Sequence, residues 1–565
     1  MKNFKVKGFL SLLIVLLVHV VHAQQVYNLI HKYGEDKNAL YRKYPVNESA
    51  EFYNRMVKYH DEFNNELKAV NFNNLSKDEK ADYILLKNQV EKDLYFLKIE
   101  QKEFLAVAHV IDFADPIYKF INERAGGRKV NAEQTAKMFD DMNRSLSANQ
   151  KKVGGLPFAS WQEADKAYQI ITSLRKGMLE AFHFYKNYDP LFTWWTERPL
   201  VVLDSSMTLY ADFLKQNFKN TSVKDDGSGI IGRPIGREAI IKSLQTEFIP
   251  YTPEELIAIA QKQFAWCDSE MLKASKEMGF GDDWKSALER VKNSYVAPGD
   301  QPAMVVGLAE DAVKFLEERD LITIPPLAKE TWRTRMMSPA AQKINPFFLG
   351  GEEIIISYPT NTMEHREKMM SMRGNNPHFS KATVQHELIP GHHLQQFMQR
   401  RYKPYRAIFE TPFWIEGWAL YWEMNLWDKG FAKSPEDRIG MLFWRMHRCA
   451  RIIFSLNYHL EKMTPQQCID FLVNRVGHEY ANAEAEVRRS FMGGYGPLYQ
   501  IAYMIGGLQL YELKKEIVTA GKMSEKEFHD AVLKENCIPI EMIRAVLLEQ
   551  ELKADYKTNW KFIKL

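Results

Sequence analysis

Residues 383–396 read TVQHELIPGHHLQQ, and residues 411–427 read TPFWIEGWALYWEMNLW. The first stretch places His386-Glu387 just ahead of His392-His393, a dense set of metal-ligating side chains. In the familiar H-E-x-x-H spacing, two imidazoles four residues apart share one helical face and converge on one ion, while the adjacent Glu reaches the water. Here His386 and His392 are six residues apart, about 600° of ideal rotation and so about 120° off-face. His393 returns to the face, but about 10 Å further along the axis, too far for two bonds of about 2.1 Å to one ion. Pro390 and Gly391 supply the means of distortion: the proline has no N–H for the carbonyl of His386, and the glycine accepts almost any backbone angle. A bulge across Ile389–Gly391 that absorbs the extra residues favours His392 as second ligand. His393 is then a supporting or substrate-facing donor, although the spacing leaves the choice between them open.

The second stretch supplies acids. Thr411-Pro412 reads as a helix start, Trp414, Trp418 and Trp422 form a stripe that reads as core, and Glu416 and Glu423 share one face of an otherwise apolar helix. A carboxylate in such surroundings is costly unless paired or metal-bound. Glu416 follows His392 by 24 residues, enough for the chain to turn back. The expected set is His386, His392 and Glu416 around one Zn2+ per chain, with a coordination position left open.

Outward from this centre the pattern is helical. Tyr83, Leu86, Val90, Leu94 and Leu97 recur at three- and four-residue steps, with Leu67 and Leu75 ahead of them. Thr252-Pro253-Glu254-Glu255, Ser434-Pro435-Glu436-Asp437 and Thr464-Pro465-Gln466-Gln467 repeat one start signal, an N-cap followed by proline and then acids or amides. Thr331–Met336 and Glu353–Pro359 are short, rich in β-branched residues and read as strands of one small sheet. Residues 227–232 spell a formal G-x-G-x-x-G, but no apolar strand precedes it and Arg233-Pro234 follows where a helix should open, so it is not a dinucleotide site. The expected fold is mainly α with a small β-sheet, divided into a signal segment 1–23, a helical region 24–330 and a zinc-binding region 331–565.

Composition narrows the function. The chain has 565 residues, 75 Lys+Arg against 72 Asp+Glu; three of the lysines fall in the first 23 residues, which hold no acid, so the body is neutral and does not read as a nucleic-acid binder. Four scattered cysteines do not make a disulfide scaffold. Residues 1–23 join Lys2, Lys5 and Lys7 to an apolar run too short to span a bilayer and a small-x-small site at Val21-His22-Ala23, the pattern of a cleaved export signal. A periplasmic or secreted protein without a membrane span in the mature chain is expected.

H-E-L-I-P-G-H-H-L-Q followed by E-G-W-A-L-Y resembles the gluzincin-type zinc metallopeptidases and, more narrowly, the bacterial domain-of-unknown-function family 885. The resemblance implies a large helical metallopeptidase fold with the small β-sheet beside a deep active-site cleft that the helical region 24–330 roofs, ligands at His386, His392 and Glu416, and Glu387 as general base. It also implies a tyrosine toward the developing oxyanion: Tyr503 is the first choice and Tyr495 the alternative. Arg488 and Arg489 are candidates for holding a substrate carboxylate. The expected function is a zinc-dependent peptidase acting on short peptides. The alternatives are a zinc amidase on a non-peptide amide and a non-catalytic peptide- or metal-binding protein; oligomeric state is not legible.

Overall fold

In the computed structural model, residues 25–153, 158–220, 225–342 and 347–564 are described; the expected signal segment 1–23 lies outside them. The chain is mainly α-helical and divides into two compact units, one within residues 1–74 and 86–224, the other within 75–85 and 225–565. Among the described residues, no helix is long and apolar enough to cross a membrane.

The first unit is all helix. Ala132–Val153, Trp161–Tyr185 and Pro190–Asn220 bury Phe139, Leu174, Phe182, Leu203 and Met207 in a common core with Phe120.

The second unit holds every site residue expected from sequence. It begins about a hundred residues earlier than the boundary at 330 that the sequence suggested. The reason is packing: helix Pro253–Glu277 buries Leu256, Ile259, Ala260, Phe264 and Cys267 in the same core as Leu442, Met446, Cys449 and Ile453. Residues 225–330 are thus part of the body that carries the site. Thr252 starts that helix with a reciprocal cap, its side chain accepting from the Glu255 N–H while Glu255 accepts from the Thr252 N–H. Thr464 does the same with Gln467.

The predicted strands are present. β1 (Arg333–Met336) and β2 (Glu353–Ile356) pair in parallel, with Arg333 opposite Glu353 and Met336 opposite Ile356. Ile354 and Ile356 pack with Val384 and Leu388, which fixes the sheet against the first helix of the metal motif.

Six helices build the site: α1 (Pro377–Glu387), α2 (His392–Gln399), α3 (Pro412–Asp428), α4 (Pro435–His459), α5 (Tyr480–Met492) and α6 (Tyr499–Lys514). Thr411 caps α3 through the Phe413 N–H, and Trp414, Trp418 and Trp422 are fully buried core, as expected. α3 and α6 cross at glycines. A Cβ on Gly506 would fall 1.9 Å from the Phe413 carbonyl oxygen, and one on Gly417 would fall 2.6 Å from the Gly506 backbone. No larger residue permits that approach, and it brings the tyrosines of α6 over Glu416 of α3.

Gly506→Ala is therefore expected to force α3 and α6 apart and to destabilise the protein by about 3 kcal/mol. Chemical denaturation of the variant beside the parent chain checks this; an unchanged midpoint would show that the crossing has slack.

Candidate metal centre

The motif helix does not bulge; it breaks. α1 ends at Glu387 and α2 begins at His392, so the expected distortion across Ile389–Gly391 is instead a complete interruption. Pro390 has no N–H to continue the ladder. The Gly391 N–H turns back to the Gln385 carbonyl (3.0 Å), the His393 N–H goes to the Leu388 carbonyl (3.1 Å), and the Trp418 indole donates to the Pro390 carbonyl (2.8 Å). A Cβ at Gly391 would lie 1.8 Å from the His386 carbonyl oxygen, so only glycine fits.

This break lets α2 enter in a new direction and aims His392 at His386. The two rings stand 4.9 Å apart, edge to face. Glu416 Oε2 lies 3.6 Å from His386 Nε2 and 3.2 Å from His392 Nε2. Donors held tetrahedrally at about 2.1 Å from one ion are about 3.4 Å apart. Among the described residues Glu416 Oε2 makes no hydrogen bond, although it is buried. A buried carboxylate oxygen without a donor, at metal-ligand spacing from two imidazole nitrogens, fits a divalent cation. Glu387 also brings a carboxylate oxygen within 4.8 Å of both histidines. Glu416 approaches both Nε2 atoms more closely than Glu387 does, so a cation held here would take Glu416 as its third ligand and have Glu387 beside it.

The outer nitrogen of each imidazole is held. His386 Nδ1 pairs with Glu423 Oε1 at 2.7 Å. His392 Nδ1 faces Gln395 Oε1 at 3.3 Å, while the Gln395 amide donates to the carbonyls of Trp414 and Ile415 at 3.1 Å each. These partners orient each Nε2 inward. Without a cation, burial disfavours charge on His386, but Glu416 and Glu423 outweigh it and push the imidazole up to about 9. Burial acts against Glu416 too, yet His392 and His386 hold its carboxyl well below the usual range. Glu387 is raised, chiefly by its removal from water. Gly350 lies directly against it; a Cβ there would fall 2.2 Å from Glu387 Oε2.

The site opens to a cavity of about 230 Å³ lined by the metal motif together with Arg448, Arg451, Arg489, Tyr495, Tyr499 and Tyr503. Tyr499 donates its hydroxyl to Glu416 Oε1, and Tyr503 donates to Tyr499 at 3.4 Å. The Tyr503 ring stacks on His386 at 6.1 Å. Burial and the nearby Glu416 raise the Tyr503 hydroxyl, which keeps it a donor. Tyr495 packs on Tyr499 at the mouth.

His386, Glu387, His392, Glu416, Glu423, Arg489, Tyr495 and Tyr503 are thus brought together as expected. Two candidates are not. His393 Nε2 donates to the Ala328 carbonyl at 2.7 Å, outside the cavity. Arg488 points to the carbonyls of Ser228 and Gly229 and to Glu484, because adjacent helical residues diverge by about 100° and only Arg489 faces inward. Sequence reading missed Gln395, Tyr499, Arg448 and Arg451. The signal for the arginines was present: two cations three residues apart on a helix as apolar as α4, the same kind of clue that marked Glu416.

Fold and site together define a mainly helical protein in which His386, His392 and Glu416 converge from three helices into a cluster that could hold a cation. The chain belongs to the family described as "Bacterial protein of unknown function (DUF885)", which matches residues 33–547. Its fold is similar to that of a "putative lipoprotein of unknown function" from Shewanella oneidensis: TM-score 0.69, 15% identity, covering 93% of this chain and 100% of that one. It is also similar to a "putative lipoprotein" from Colwellia psychrerythraea: TM-score 0.58, 14% identity, covering 94% and 99%. Curated proteins yield no match.

Two outcomes are expected. Elemental mass spectrometry should find metal in the parent chain and in His393→Ala, and loss of it in His392→Ala. Because the protonated form of His386 persists up to about pH 9 and a ligand must be neutral, zinc binding at pH 7 should release at least one proton, and affinity should climb as pH rises toward 9. Calorimetry in buffers of different ionisation enthalpy measures this; no proton release would refute the ligand assignment.

Proposed function

We propose that this chain is an exported, metal-dependent hydrolase of peptide bonds that acts on short peptides. The observation that carries the reading is the convergence of His386 Nε2, His392 Nε2 and Glu416 Oε2 with a further carboxylate, Glu387, beside them. Hydrolysis needs a base beside the metal-bound water, and Glu387 is the carboxylate placed there. Zinc is the metal that best suits the two imidazoles and the carboxylate.

His386, His392 and Glu416 would hold the ion, which would supply Lewis-acid polarisation of the scissile carbonyl and a more acidic water. Glu387 takes the proton of the attacking water and returns it to the leaving amine. Its raised pKa suits that exchange. Tyr503, kept neutral, donates to the oxygen on which charge develops. Tyr499 fixes the rotation of the Glu416 carboxylate from the other side. Glu423 and Gln395 hold the two imidazoles in the tautomers that leave Nε2 free.

The cavity, about 230 Å³, is smaller than the ~300–1,000 Å³ typical of drug-sized ligand sites, which supports a substrate of few residues. Export is supported by the charged, then apolar, then small-residue order of residues 1–23 and by the description of both similar structures as lipoproteins.

Glu387→Gln is expected to retain the metal and lower kcat on a short-peptide pool by a factor on the order of 10²–10⁴. Mass-spectrometric turnover assays with metal content measured in parallel check this. Full activity in the metal-loaded variant would remove Glu387 as the base.

A further inference from the structure

Three arginines line the same cavity as the metal motif, and each keeps a buried N–H without a partner. Arg448 Nε, Arg451 Nη1 and Arg489 Nε make no hydrogen bond among the described residues, although the side chains are only 5%, 3% and 8% exposed. Leaving such a donor unpaired is costly. The acids beside them do not meet the demand. Glu486 accepts from Arg451 Nε at 2.7 Å and also faces Arg489. Glu423 stands 3.7 Å from Arg448 and is already engaged by His386. Three guanidiniums therefore share one carboxylate and part of another.

Their position relative to the metal motif is set by one ring. The guanidinium carbons of Arg448 and Arg451 lie 4.5 and 4.4 Å from the Tyr503 ring centre, and that ring stacks on His386. Arg489 lies 4.9 Å from the ring of Tyr495 at the mouth. Behind the arginines, His447 Nδ1 and His478 Nε2 pair at 2.8 Å. Burial, with Arg451 adding to it, keeps His447 neutral, and burial pushes His478 down to about 3. The backing thus adds no further anion.

We propose that Arg448, Arg451 and Arg489 form a carboxylate-binding subsite and that the substrate is a peptide carrying a carboxylate one or two residues beyond the scissile bond. A guanidinium binds a carboxylate in bidentate fashion. One or two extended residues reach about 3.4–7 Å, which suits a group held one aromatic ring away from His386. The carboxylate is the chain terminus or the side chain of Asp or Glu. This inference rests on the hydrolase reading for its scissile bond but not for its anion.

The test measures binding and cleavage separately. The full chain with Glu387→Gln, loaded with zinc, is titrated calorimetrically with three pools of N-acetyl dipeptides: neutral residues with a free C-terminal acid, the same dipeptides as C-terminal amides, and amides ending in Glu. Tighter binding of the free acids by about ten- to a hundredfold assigns the subsite to the chain terminus. Tighter binding of the Glu amides assigns it to an acidic side chain. Arg448→Gln and Arg489→Gln should each erase the preference, and Arg488→Gln, which lies outside the cavity, should leave it intact. Equal affinity for all three pools, or no binding of any, overturns the subsite, and this comparison needs no arginine variant to fold. Cleavage by the parent chain is followed beside it. A retained preference for acids without cleavage sinks the hydrolase reading and leaves the subsite standing. Cleavage with equal kcat/KM on acids and neutral amides does the reverse.

Discussion

The backbone of Gly391 lies so close to the carbonyl of His386 that no side chain fits between them, and the rest of the site follows from that contact. Two histidines six residues apart cannot face one ion from a continuous helix. Pro390 ends the hydrogen-bond ladder of α1, Gly391 folds back onto it, and α2 restarts with His392 turned toward His386. The indole of Trp418, on the helix that carries Glu416, donates to the Pro390 carbonyl. That bond, with those from Gln395 to the carbonyls of Trp414 and Ile415, holds the break in register with Glu416.

Around this break the protein concentrates charge in a region built from apolar helices. Glu416, Glu423, Arg448, Arg451, Glu486 and Arg489 are all buried. Buried ion pairs seldom improve stability over well-packed apolar residues. Here the pairing is also incomplete, since Glu416 Oε2 and an N–H of each arginine lack partners. Glycine crossings such as Gly417 on Gly506 hold the helices close enough for these groups to converge. Stability supplied by the surrounding core thus sustains a site that is locally costly.

The parts of the site legible in sequence were those in which local order and chemistry coincide. The helix starts at Thr252, Thr411 and Thr464 were readable because a cap acts within four residues. Glu416 was readable because a carboxylate amid three tryptophans has few other reasons to be there. Arg488 and Arg489 could not be told apart, since neighbours on a helix differ only in which way the helix faces. The boundary expected at 330 failed for a related reason: nothing in residues 225–330 states which core their apolar faces will enter.

Sequence alone therefore determined the helical class, the small sheet, and the His-Glu-His-Glu inventory, because periodicity, capping and residue type act over a few positions. Tertiary structure alone decided that His392 rather than His393 faces the site, that Tyr499 seats on Glu416, and that three arginines from α4 and α5 line the same cavity. Those outcomes depend on the angle at which α2 leaves the break and on how closely α3 and α6 cross. Both angles are set by contacts between residues distant in the chain, which no local pattern encodes.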